Sequence, residues 1–241
     1  FLIEATGGTG KFHITDSIDA SGNVKIGDVD VDGDIDLIVG NTLNSIQEVK
    51  IYKNDGHGHF SHFRDVQGAY QFFTVADFDS DGDPDILSEA ENDQVRLFLN
   101  DGLGNFSPSL LSGGFIGKPA DLDGDGDPDI ARIYTGYDVI TAKNENGLFV
   151  PQDPVNIPVH CQELYYYSFP FIEIADMDND GDPDIAEYTL SYIDFISGRF
   201  TGCRSLEMIE NSGSGIFTNS TLQNENFVEG YSVLDKYSYT V

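Results

Sequence analysis

Four runs of the form D-x-D-x-D-G-D-x-D punctuate this chain: DVDVDGDID from Asp28, DFDSDGDPD from Asp77, DLDGDGDPD from Asp121 and DMDNDGDPD from Asp176. Each places five carboxylates within nine residues. Such crowding is unfavourable unless a cation sits among the oxygens. A hard cation that takes six to eight oxygen ligands is the natural partner, which points to Ca²⁺. Loop positions 1, 3, 5 and 9 would offer carboxylates and position 7 a backbone carbonyl. The glycine at position 6 (Gly33, Gly82, Gly126, Gly181) permits the sharp turn around the ion.

The same loop chemistry occurs in EF-hands and dockerins, so the flanks must decide. An EF-hand needs a helix on each side and a bidentate Glu at position 12. Here position 12 is Val39, Ser88, Arg132 and Glu187, so one copy conforms. The flanking segments NVKIGDVD, DLIVGN and FFTVADFD read as strands, and Pro84, Pro128 and Pro183 follow three of the loops' glycines. The loops are therefore predicted to join pairs of strands.

The 241 residues suffice for one large β domain or two small ones, and 39% hydrophobic content supports a sizeable core. The net charge of −30 has a local source, because the four loops hold twenty of the 42 acidic residues. Ion binding and solubility account for the acidity. With only 12 Lys and Arg, nucleic acid is an unsuitable partner, since phosphate contacts need basic side chains. No apolar run approaches a membrane span. A chain starting at Phe1 reads as processed or trimmed. Loops whose affinity is tuned by ligand charge suit millimolar extracellular calcium. Asn105-Phe-Ser and Asn219-Ser-Thr are N-glycosylation sequons, a pattern that also arises by chance.

A second motif tracks the first. NDGHGHF ends at Phe60, NDGLGNF at Phe106, KNENGLF at Phe149, ENSGSGIF at Phe217, and a fifth, TGGTGKF, at Phe12. Asn-Gly and Asp-Gly between apolar runs mark hairpin turns. The repeating unit is then strand A, acid loop, strand B, variable loop, strand C, Gly-rich turn, strand D. Four short strands per repeat of 44 to 55 residues are the signature of propeller blades.

These residues resemble the FG-GAP/VCBS family of repeats, found in the propeller of integrin α-chains and in many secreted proteins. The resemblance covers nearly the whole chain and implies calcium ligands at matching positions: Asp28, Asp30, Asp32, Asp36; Asp77, Asp79, Asp81, Asp85; Asp121, Asp123, Asp125, Asp129; and Asp176, Asp178, Asp180, Asp184. Asp34, Asp83, Asp127 and Asp182 would give their carbonyls, for about four ions in all. The expected fold is all-β, a single 1–241 propeller of five four-stranded blades. Four are complete, at about 21–67, 68–112, 113–158 and 159–226. The fifth is composite, with strands C and D from 1–20 and strands A and B from 227–241, where Asp235 marks a lost calcium loop. Closing the ring in this way removes open sheet edges. Seven blades are commoner in the family, and the alternative is a piece of a longer propeller.

Two insertions stand out: Phe149 to Asp176 spans 27 residues and Asp176 to Phe217 spans 41, each longer than its equivalents. The first carries Cys161 and Tyr165, Tyr166 and Tyr167; the second, read as an expanded B–C loop, carries Tyr192 and Cys203. Within the implied fold both lie on the face opposite the ions, so a Cys161–Cys203 disulfide is expected, the alternative being two separate thiols. The tyrosines offer an apolar face with a polar tip, suited to recognition, although burial under the long loops would account for them equally. His57, His59 and His62 crowd one turn, which reads as solvated ahead of metal-binding.

No G-x-S-x-G elbow and no H-E-x-x-H motif occurs, so no enzyme is expected. The leading expectation is an extracellular, non-catalytic recognition or adhesion module for a glycan or protein. A structural subunit of a filament, sheath or surface layer, docking copies of itself, is the alternative. An accessory propeller of a polysaccharide-active enzyme ranks third.

Overall fold

The structure, a computed structural model, describes residues 2–6, 11–18, 22–43, 46–91, 94–109, 114–133, 138–155, 167–193, 199–220 and 229–232. Among these residues the fold is all-β, with no α-helix. Four sheets follow one another along the chain, each an antiparallel meander in chain order. The first holds β3 (Val24–Gly27), β4 (Asp36–Leu43), β5 (Ile46–Asn54) and β6 (Phe60–Val66). The second holds β7 (Phe73–Ala76), β8 (Asp85–Glu89), β9 (Val95–Asn100) and β10 (Phe106–Pro108). The third comprises β11 (Lys118–Ala120), β12 (Asp129–Ile133), β13 (Val139–Glu145) and β14 (Leu148–Pro151). The fourth comprises β15 (Tyr167–Ala175), β16 (Asp184–Ile193), β17 (Arg199–Asn211) and β18 (Phe217–Ser220). Ahead of them, β1 (Leu2–Thr6) and β2 (Lys11–Asp16) form a hairpin. This is a propeller-like repeat of four-stranded sheets.

Register sets each acid loop in the same frame. The residue before position 1 pairs with the aspartate at position 9 in every sheet: Gly27 with Asp36, Ala76 with Asp85, Ala120 with Asp129 and Ala175 with Asp184. Each loop thus joins the first two strands of its sheet, which removes the helix-flanked reading. The Gly-rich turns join the last two strands, with Asn54 opposite Phe60, Asn100 opposite Phe106 and Asn211 opposite Phe217.

By packing, the chain forms two compact units, Phe1–Gly117 with Asn144–Phe149, and Lys118–Lys143 with Val150–Val241. In the first, Val29, Ile38, Val49, Ile51, Val66, Phe73, Ile86 and Phe98 make the core. In the second, Leu122, Ala131, Val139, Ile172, Ile185 and Ile209 do so. The acid loops contribute to this apolar material themselves. Position 2 is Val29, Phe78 or Leu122 in the first three loops, all buried. Each such side chain anchors its loop by about 1.5–3 kcal/mol of burial.

The second insertion departs from the expected loop. Tyr192 lies in β16 and Cys203 in β17, strands of 10 and 13 residues paired without interruption from Ile185 opposite Ile209 to Ile193 opposite Thr201. The extra residues lengthen a hairpin. β19 (Glu229–Ser232) pairs with the far end of β17, Arg199–Gly202. The remainder of the segment expected to close a ring, Asp235 included, lies outside the described residues, as do Cys161, Tyr165 and Tyr166.

Position 4 of each loop adopts a left-handed backbone that the sequence reading did not foresee: Val31 (φ 56°), Ser80 (φ 58°), Gly124 (φ 78°) and Asn179 (φ 65°). Valine is the poorest fit, because its branched Cβ crowds the carbonyl there. Its side chain is largely exposed, so little packing offsets the strain. Val31→Asn should therefore raise stability by about 1 kcal/mol, measured by thermal unfolding in calcium, with no change in fold. A variant less stable than the parent contradicts this reading of Val31.

Candidate metal centres

The aspartate at position 9 is the keystone of each loop. Asp36, Asp85, Asp129 and Asp184 are at most 1% exposed. One oxygen of each accepts the backbone N–H of position 2: Val29 to Asp36 at 3.1 Å, Phe78 to Asp85 at 2.9 Å, Leu122 to Asp129 at 2.9 Å and Met177 to Asp184 at 3.0 Å. The other accepts the N–H of the turn asparagine: Asn54 to Asp36 at 2.9 Å, Asn100 to Asp85 at 2.8 Å and Asn211 to Asp184 at 2.9 Å. One buried carboxylate therefore ties the acid loop to the Gly-rich turn of the same sheet.

Position 1 curls the loop. Asp28 accepts N–H groups from Asp32 and Gly33 at 3.1 and 2.9 Å, and Asp77 accepts them from Asp81 and Gly82 at 3.0 and 2.9 Å. Asp121 accepts from Gly124 and Gly126, and Asp176 from Gly181. Position 5 accepts the N–H of position 7 in all four copies. The position 7 side chain turns outward toward its own Gly-rich turn. A Cβ added at Gly56 or Gly102 would lie 2.6 Å from a carboxylate oxygen of Asp34 or Asp83, and Gly213 meets Asp182 in the same way. In these three turns the first glycine is thus required by the acid loop as well as by its positive φ, while the third sheet's turn has the left-handed Asn146 in that place.

The loops bring carboxylates together in threes. Ligand atoms of Asp28, Asp30 and Asp32 lie within 4.8 Å of one another, as do those of Asp77, Asp79 and Asp85, of Asp121, Asp123 and Asp129, and of Asp176, Asp178 and Asp184. Position 9 thus belongs to the gathered group in the last three loops, and position 5 in the first. Asp36, Asp81, Asp125 and Asp180 stand outside the gathered threes. Two of the position 3 oxygens, Asp30 Oδ1 and Asp123 Oδ1, are buried without a hydrogen-bond partner. All the donors are hard oxygens, and two oxygens across an ion at about 2.4 Å lie about 4.8 Å apart, so the groups fit a calcium-sized cation.

The metal-free electrostatics agree. Burial, above all, pushes the Asp85 carboxyl up to about 7, against the lowering effect of its two backbone donors. Burial also raises Asp36, Asp79 and Asp178. Asp123 departs in the other direction, because the Lys143 ammonium, 2.9 Å from its Oδ2, holds it down.

The turn asparagines also reach beyond their own sheet. Asn100 Nδ2 donates to the Val29 carbonyl at 2.9 Å, at position 2 of the preceding loop, and to Pro84 O at 3.3 Å. Asn144, in a turn that packs with the first unit, donates to Phe78 O at 2.8 Å, and Asn211 donates to Leu122 O at 2.8 Å. Within each unit one acid loop is therefore tied to the next, the first to the second through Asn100 and the third to the fourth through Asn211. The recurrence of Asn before all four Gly-rich turns was the visible signal of this role.

Other candidate residues are placed differently. Asn105 is exposed, but its amide donates to Asp101 at 2.8 Å and its carbonyl accepts from Arg64, so it already braces its turn. Asn219 lies in β18. His62 pairs with Asp65 at 2.8 Å and edges onto the Tyr52 ring, while His57 Nδ1 lies 2.9 Å from the Asp55 carbonyl. No histidine joins a metal-capable group among the described residues. Tyr167 stands opposite Tyr192, and Ser191 opposite Cys203. That end of the hairpin is eight residues from the Ala175–Asp184 pair at the acid loop, about 26 Å along the strands.

A family model described as an FG-GAP-like repeat matches residues 28–88 and 121–186, more than half of the chain. The first match runs from the first acid loop through the second, and the other from the third through the fourth. No curated protein matches the chain.

Two outcomes follow from this geometry. Asn100→Ala should cost about 2–3 kcal/mol, because it strands the buried Val29 carbonyl; Asn54→Ala should cost less, since its Nδ2 meets the exposed Ile35 carbonyl and its Oδ1 accepts the exposed N–H groups of Gly56 and Gly58, all of which water can satisfy. Equal losses in urea unfolding would deny the link between loops. The second concerns pH in chelator. Asp85 binds its proton more tightly folded than unfolded, so its stabilising contribution is full below about pH 4 and is lost as pH rises through about 7. Metal-free protein should melt lower at pH 8 than at pH 5, and calcium should remove that loss by holding the carboxylate ionised. A higher melt at pH 8 in chelator would contradict the assignment.

Proposed function

The chain belongs to the FG-GAP-like repeat family, and on that premise we propose that it is an extracellular, calcium-stabilised β-propeller that acts as a non-catalytic recognition or adhesion module for a glycan or protein. The observation that carries the calcium reading is the fourfold gathering of carboxylates around one backbone frame, with buried oxygens at Asp30 and Asp123 left without hydrogen-bond partners. Positions 1, 3 and 9, with position 5 and the position 7 carbonyl beside them, would hold one ion per loop. Bound calcium supplies positive charge to a buried acid cluster and stabilises only the folded loop.

In the same reading, the four sheets are blades of a five-bladed ring, with the β1–β2 hairpin as the outer half of a composite blade completed from the segment 227–241, of which Glu229–Ser232 pairs instead with β17 of the fourth sheet. Recognition is assigned to the end of the β15–β16 hairpin around Tyr165, Tyr166, Tyr167 and Tyr192. The support is topological: that end is about 26 Å from the acid loop, and loops not committed to an ion are free to carry function. A disulfide between Cys161 and Cys203 would stiffen it.

Native mass spectrometry should find about four calcium ions per chain. EDTA should lower the melting temperature by more than about 10 °C, since each site at a hundredfold ligand excess adds about 2.7 kcal/mol. An unchanged melt in chelator would sink the calcium assignment. On a glycan array and against extracellular matrix proteins, the joint replacement of Tyr165, Tyr166 and Tyr167 by Ser should abolish binding while the calcium count stays at four. Binding equal to that of the parent would move the recognition surface elsewhere.

A further inference from the structure

The four acid loops are not equivalent, and the difference lies in the strand behind them. The residue just before the turn asparagine is Lys53 in β5, Leu99 in β9, Lys143 in β13 and Glu210 in β17. Lys53 pairs with Asp30, and Lys143 lies 2.9 Å from Asp123, so in both cases the ammonium engages the position 3 carboxylate. Both amines are held in place. Lys53 lies 4.6 Å over the Phe63 ring, and Lys143 also donates to the Ser214 carbonyl at 3.2 Å. In each loop the ammonium takes Oδ2 of the position 3 aspartate, while the buried Oδ1 has no hydrogen-bond partner. The first and third loops thus carry a fixed positive charge against one ligand. The second has a neutral leucine in that place, and the fourth a further acid.

We propose that Lys53 and Lys143 are built-in counter-cations that divide the loops into two classes, so that calcium fills the second and fourth loops first and the first and third only at higher concentration. This rests on the calcium reading above. Affinity in carboxylate loops is tuned by ligand charge, and a unit positive charge within a few ångströms of a divalent ion is repulsive. The same ammonium partly neutralises its acid cluster when no ion is bound, so the lysine loops keep their shape at low calcium.

The test is a calcium titration of the full chain, followed by native mass spectrometry and calorimetry. The parent should take up two ions before the other two, with affinities separated by about tenfold or more. Asp178→Asn should remove an ion of the tight class and Asp123→Asn one of the weak class. Joint Lys53→Met and Lys143→Met should merge the classes by tightening the weak pair about tenfold, and should lower the melting temperature in EDTA. Joint Lys53→Arg and Lys143→Arg keeps the charge and should keep two stages, which separates charge from packing. Four ions binding in one class would overturn the inference and leave the calcium reading standing. No calcium uptake at all would overturn both. Two stages persisting in the methionine variant would show that the lysines do not set them.

Discussion

A buried carboxylate that receives two backbone N–H groups organises this molecule. At Asp36, Asp85 and Asp184 the same side chain closes the strand pair, holds position 2 of the acid loop and fixes the turn asparagine. Burying an ionised carboxylate is costly unless it is hydrogen-bonded and its charge is compensated. Two N–H donors meet the first need. They do not meet the second, because four further carboxylates crowd the same nine residues. Burial above all, with a smaller contribution from the neighbouring aspartates, pushes the Asp85 carboxyl up to about 7. A hard cation would meet the second need, and one constraint would then dictate both the shape of the loop and its chemistry.

From that carboxylate the structure spreads by short, repeated links. Position 2 sends a buried side chain into the core and its carbonyl to the asparagine of the next sheet's turn. Position 7 sends its carboxylate against the first turn glycine. The second turn glycine packs on the preceding repeat: a Cβ at Gly104 would lie 2.9 Å from Phe63, and one at Gly215 would lie 3.2 Å from Lys143. No repeat buries these groups alone, which is the physical basis of stacked architectures. Among the described residues, Gly58 in the first repeat has open space where Gly104 and Gly215 have neighbours.

The parts legible in the sequence were those whose chemistry is local. Five acids in nine residues, a glycine at position 6 and strand-like flanks sufficed for the loops and for the all-β class, because each signal is complete within ten residues and occurs four times. What stayed hidden depends on contacts at long range. The asparagine links join residues 71, 66 and 89 positions apart, and nothing in a single repeat announces an acceptor in another. The left-handed position 4 was masked by Val31, a residue that propensity assigns to strands. The lysines went unnoticed because an ion pair between Lys143 and Asp123 spans a whole hairpin. The long β16–β17 hairpin was read as a loop, since a spacing of 41 residues from Asp176 to Phe217 shows that residues are added but not whether they extend strands or their connection, yet its register runs unbroken across nine pairs.

That last difference changes how a recognition surface would work here. Inserted loops pay an ordering cost when they bind, whereas residues on a continuous ladder are ordered beforehand. Tyr167 and Tyr192 sit opposite one another on such a ladder, with Cys203 facing Ser191 one pair further along, and β19 adds a further strand beside that end of β17. At the other end of the same strands the acid loop holds Asp184 in place. A cation there would stiffen the hairpin at its base without touching any ligand. Calcium would then act on recognition through the order of two strands about 26 Å long, and its chemistry would be separate from that of whatever the tyrosines meet.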